Sequence, residues 1–138
     1  MVFNYNPAEA LTLAMPSHTK PDIHKAGVFY ACYMLTKLGY AAIETNGTEA
    51  HMTGTKDGKT YRFYINAKTE DGASSFYSLD LKFDYLVILT HILEEPNVYI
   101  LSKKMVYDFL SNRGPDSTGT FWLQIEEYRN KGKYWDEL

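Results

Sequence analysis

From Ala26 to Leu35 the chain has almost no polar position, and this run dominates its hydrophobic pattern. Asp22 is a suitable N-cap before it and Gly39 a suitable stop after it, so the spacing predicts one helix between them. A helix without a polar face is buried on most sides, which predicts that it packs across a sheet. Downstream the period changes to two. Across Thr60–Lys68, Tyr61, Phe63, Ile65 and Ala67 point one way, and Arg62, Tyr64, Asn66 and Lys68 the other, as in a strand. Asp84–Leu89 is nearly all apolar, which suits a strand covered on both faces.

Turn chemistry divides the remainder. Pro7–Ala14 reads as a short helix with proline in its first turn, and residues 16–21 as a break. Tyr40–Glu44 and Glu49–Thr55 are expected strands around an Asn46-Gly47 turn. Asp57-Gly58 is the strongest hairpin signal, because both central residues of a type I′ turn need positive φ. Residues 69–79 are polar and are expected to form a loop. Val98–Leu101 follows as a strand, then a helix capped by Ser102 and ending near Asn112. Phe121–Ile125 is an expected last strand, and Tyr134–Leu138 a terminal helical turn. The order is ααβββ, then ββα, then β. It predicts one α/β domain over 1–138, a sandwich in which helices flank a mixed central sheet.

Composition agrees with that picture and restrains its functional reading. With 45% hydrophobic and 15% aromatic residues in 138, the chain is long and apolar enough for a real core. Its twelve tyrosines are read as amphipathic core residues ahead of a stacking surface. The net charge of −3 argues mildly against a nucleic-acid binder, since such domains are commonly basic. The single cysteine, Cys32, excludes an internal disulfide and a zinc cluster. No segment reads as a signal peptide or membrane span, so a soluble, cytoplasmic chain without a membrane partner is expected.

The candidate chemistry lies between the first helix and the middle of the chain. There the sequence runs Ala50-His51-Met52-Thr53, then Lys56-Asp57-Gly58-Lys59-Thr60-Tyr61-Arg62, then Asn66-Ala67-Lys68, with Asp84-Tyr85-Leu86-Val87 beyond. This series resembles the PD-(D/E)XK superfamily, the restriction-endonuclease-like fold, and especially its small resolvase-like and intron-homing members. The resemblance spans about Asp22 to Leu101, with a fainter echo in Phe121-Trp122-Leu123-Gln124 and Trp135. It implies an aspartate near His51, an acidic residue or glutamine at Asn66, and a lysine at Lys68. Only Lys68 stands. The glutamate that often follows a helix glycine in the family is also absent, since Val28 follows Gly27.

Those departures matter because carboxylates are what hold Mg²⁺ in such nucleases. The ion is hard, takes oxygen ligands, and activates water while stabilising charge on phosphate. Histidine is a poor Mg²⁺ ligand, and asparagine brings no compensating charge. His51, Asn66 and Lys68 therefore match the catalytic motif positions but predict an inactive site with no resident cofactor. Lys68 and Arg62, on one strand face, remain candidates for DNA or RNA phosphate, against the bland reading of a solvated strand-end lysine. Glu49, by strand parity with His51, and Glu70, by parity with Lys68, are the candidate metal ligands if displaced acids restore Mg²⁺ binding; Glu44 and Asp71 are weaker ones. The four histidines have no zinc spacing. Three readings stand: a non-catalytic nucleic-acid-binding accessory in DNA processing, an Mg²⁺-dependent nuclease with displaced carboxylates, and a protein-interaction or homodimer module.

Overall fold

Strand β3 (Lys59–Ala67) is the axis of the fold, and the two faces of its alternating pattern face two separate cores. The computed structural model describes residues 19–132 and 134–138. The helix expected at Pro7–Ala14 lies outside them. The main sheet has the order β1 (Ala41–Glu44), β2 (Met52–Lys56), β3, β5 (Tyr85–Thr90), β6 (Asn97–Ser102). All its neighbours are antiparallel except β3 and β5, which run parallel. The sheet is mixed, as expected. At the β2–β3 turn Asp57 and Gly58 have φ of 53° and 75°, both positive as a type I′ turn requires.

Helix α1 (Lys20–Lys37) lies across one sheet face and buries Ile23, Gly27, Val28, Ala31 and Leu35 against Phe63, Ile65, Val87 and Leu89. Gly27 sets how closely it lies. A Cβ there would stand 2.5 Å from the Cβ of Ala67 on β3, so only glycine permits this approach. Two expectations for this helix are corrected. Its N-cap is Thr19, and Asp22 is the third residue of a reciprocal capping box, its carboxylate accepting from the Thr19 N–H. Nor is it buried on most sides: Phe29 and Tyr33 are 56% and 60% exposed. One stripe is enough to cover the sheet, and the rest of the apolar run faces outward.

The opposite face is covered by α2 (Lys103–Arg113), by a two-stranded sheet of β4 (Ser74–Phe76) with β7 (Phe121–Leu123), and by α3 (Ile125–Lys131). Ser102 caps α2, accepting from the Met105 N–H. Here the sequence pattern misleads three times. The expected loop at 69–79 contains β4. The expected strand Phe121–Ile125 stops at Leu123, and a helix begins at Ile125. The expected strand from Glu49 begins only at Met52, which leaves Glu49 and His51 outside it. A short 3-10 turn at Trp135–Glu137 follows α3. No helix among the described residues is long and apolar enough to cross a membrane.

Candidate functional site

A cleft of about 550 Å³ opens at the carboxyl ends of the parallel pair β3 and β5, walled by Lys20, Asn66, Lys68, Glu70, Asp71 and Ser75. Open α/β sheets bind ligands at this edge, because the strand ends leave a crevice between diverging connections. Lys68 is the first residue past β3. Its backbone is fixed on both sides, the N–H donating to Leu89 O at 2.7 Å and the carbonyl accepting from the Ile92 N–H at 3.0 Å. Its side chain is half-buried, and its ammonium donates to the Ala73 carbonyl at 3.1 Å. No carboxylate among the described residues lies within ion-pair distance of it. Burial lowers its pKa from the ordinary lysine value.

Two basic residues farther off are paired with carboxylates, whereas Lys20, which walls the same cleft, has no ion pair among the described residues. Arg62 Nε stands 3.6 Å from Asp84 Oδ2, and that same oxygen accepts from the Arg62 N–H at 2.7 Å. Lys82 pairs with Asp80 at 2.9 Å. Arg62 shares the strand face of Lys68, as expected, but six residues along a strand separate the two by about 20 Å. The structure does not bring Arg62 to the Lys68 cleft.

His51 has a structural explanation. Its Nδ1 accepts from the Ile65 N–H at 2.9 Å, at a point on β3 that β2 does not reach. The imidazole thus stands in for a missing strand carbonyl. Its ring packs edge-on against His24 and tilted against Tyr64, each at 4.3 Å between centroids. Burial first, and the nearby His24 second, push its pKa down to about 4. With Nδ1 engaged as an acceptor, the neutral ring carries its proton on Nε2. Sequence spacing gave no sign of the His24 contact, because it is made across the helix–sheet interface.

The candidate acids do not assemble around Lys68. Glu49 is exposed on the segment before β2 and lines a second chamber, and Glu70 is exposed on the cleft rim. Asp71 does face the cleft, but Arg129 of α3 binds its Oδ2, and its buried Oδ1 lies 3.8 Å from His91 Nε2. Asn66 offers only a neutral amide. Among the described residues no group of three or more His, Cys, Asp or Glu side chains is placed to hold a metal ion. Of the two carboxylates lining the cleft, Asp71 is engaged by Arg129 and Glu70 is exposed on the rim, a poor fit to Mg²⁺, which takes one or two free carboxylates.

Helix α3, where the sequence pattern suggested the end of a strand, braces the loop that walls the cleft. The Tyr128 hydroxyl donates to Gly72 O at 3.0 Å and accepts from the Gly72 N–H at 3.3 Å, while Arg129 takes Asp71. The loop that presents the Ala73 carbonyl to Lys68 is therefore tied to a helix more than fifty residues away in sequence. A separate chamber of about 400 Å³ adjoins the first and shares Asn66 and Ser75 with it.

The mixed sheet between two helical layers, with the motif strand at its centre, defines a restriction-endonuclease-like fold. Two solved nucleases of that PD-(D/E)XK fold are similar in shape. One is Archaeoglobus fulgidus Hjc, a Holliday junction resolvase from an archaeal hyperthermophile; it matches with a TM-score of 0.61 and 10% identity, over 83% of this chain and 93% of Hjc. The other is I-Ssp6803I, a bacterial homing endonuclease, with a TM-score of 0.52 and 10% identity, over 67% of this chain and 74% of that one. No family model and no curated protein sequence matches the chain. At this identity the likeness establishes the fold alone.

Proposed function

We propose that this chain is a nucleic-acid-binding domain of restriction-endonuclease-like fold that does not cleave its ligand, and that Lys68 meets a backbone phosphate in the cleft. The carrying observation is the uncompensated Lys68 ammonium in the cleft at the carboxyl ends of β3 and β5, in contrast to Arg62 and Lys82 elsewhere, which both have carboxylate partners. A half-buried cation held by one neutral carbonyl has donors left for an anion, and a bound phosphate restores the charge that burial disfavours. The two similar structures belong to proteins that act on nucleic acid, which supports the same ligand class here. The engagement of Asp71 by Arg129 and the exposure of Glu70 on the rim support the absence of cleavage.

Fluorescence anisotropy of a labelled duplex, in Mg²⁺ and in chelator, tests both halves. The expected result is a rise of equal size in the two conditions, reduced by Lys68→Ala. A fall below the free-duplex value in Mg²⁺ alone would mean cleavage, and would establish the displaced-carboxylate nuclease instead.

A second reading has its own observation. Phe29 and Tyr33, one turn apart on the outer face of α1, are exposed and carry Lys25 and Lys37 against their rings at 5.5 and 5.2 Å. Exposed aromatic residues ringed by charge are typical of protein-contact surfaces. A defined oligomer by sedimentation, dissolved by Phe29→Glu, would support a protein-interaction module.

A further inference from the structure

We propose that the second chamber of the cleft receives an unpaired nucleobase, whose own phosphate is the one held at Lys68. The inference rests on the nucleic-acid reading and names the substrate feature it selects. The two chambers differ in their cations: Lys68 and Lys20 of the first have no carboxylate within ion-pair distance among the described residues, whereas Lys82 of the second is paired with Asp80. The first also carries Glu70, exposed on its rim, and Asp71, which Arg129 already engages. Glu49 and Asp80 line the second. Carboxylates repel phosphate but accept from the amino and imino groups on a base edge.

The chamber walls suit a planar ring. Tyr77 lines it and is 84% exposed, and Tyr64 lines it from β3 with its ring held among His51, Phe76 and Phe83. Burial, then the adjacent Tyr77, raises the Tyr64 pKa, so its hydroxyl stays a neutral donor. Stacking on such rings tolerates any base, because every base has a π-face. Asn66 joins the chambers. Its amide carries two donors and one acceptor group, and it has no hydrogen-bond partner among the described residues. It lies two residues from Lys68, about 7 Å along the strand, which is the scale of one nucleotide. A base inside a duplex cannot reach these walls. It must leave the stack, and a bulged or unpaired base does so at least cost.

The test compares a fully paired DNA duplex with the same duplex carrying one bulged 2-aminopurine. The expected result is about tenfold tighter binding of the bulged duplex, in line with stacking of one base, together with quenched 2-aminopurine emission. Tyr77→Ala should abolish the preference and the quenching. Tyr77→Phe should keep both, and so should Tyr107→Ala, which alters an exposed tyrosine on α2 away from the cleft. Equal, salt-sensitive and Lys68-dependent binding of both duplexes, with unchanged emission, would overturn the base chamber and leave the nucleic-acid reading standing. Binding of neither would overturn both.

Discussion

Two residues of the motif strand region, His51 and Lys68, are both half-buried, yet burial acts on them to different ends. His51 is neutral and engaged by the Ile65 N–H, so its protonation is linked to folding. Its folded pKa of about 4 lies below the unfolded value of 6.5. The stability it contributes is therefore full above pH 6.5 and is lost as pH falls through 4. The melting temperature should drop across that window. His51→Asn, whose side-chain oxygen can still accept from Ile65, should show a shallower drop; parallel curves for the two proteins would mean that His51 does not titrate as described. Lys68 differs because its partner is a lone carbonyl, and the proposed ligand supplies acceptors for its remaining donors.

At the scale of elements, the account turns on two contacts that place Lys68. Gly27 lets α1 approach Ala67, the residue before it. Gly27→Ala gains about 1 kcal/mol of helix propensity but overpacks a rigid contact at a cost of about 1–3 kcal/mol. A net loss of stability in urea is expected, with partial rescue by Ala67→Gly; a stabilised Gly27→Ala would refute the close approach. On the other side, Tyr128→Phe removes both hydrogen bonds to Gly72. About 1–3 kcal/mol should be lost, with faster amide exchange in residues 70–73 if α3 holds that loop; unchanged exchange there would show that it does not.

These contacts also explain what the sequence could and could not show. Strands β2, β3, β5 and β6 were legible because each carries its own pattern, a type I′ turn, an alternation or an apolar run. Strand β4 and helix α3 were not. Ser74 and Ser75 read as loop, and β4 is a strand only because β7, nearly fifty residues later, pairs with it. Helix α3 has only seven residues, and Ile125 at its start looked like the end of β7. At the site, the positions of Asn66 and Lys68 followed from strand parity, whereas Asp71–Arg129 and His24–His51 are tertiary contacts that no spacing encodes. Glu49 was placed by extending β2 three residues too far.

The restriction-endonuclease-like architecture overlays 83% of the chain on a resolvase, while among the described residues no group of three or more His, Cys, Asp or Glu side chains is placed to hold a metal ion. A net charge of −3 supplies no general attraction to nucleic acid, so affinity must come from local charge, and in the cleft Lys68, with Lys20 on the same wall, has no carboxylate partner among the described residues. Each phosphate neutralised by a lysine contributes about one unit to the slope of log affinity against log salt. The most direct test is that slope, measured on a duplex for the wild type and for Lys68→Ala. The account predicts a slope shallower by about one unit in the variant, with weaker binding at low salt. Identical slopes would contradict it, and would place the phosphate contact away from Lys68.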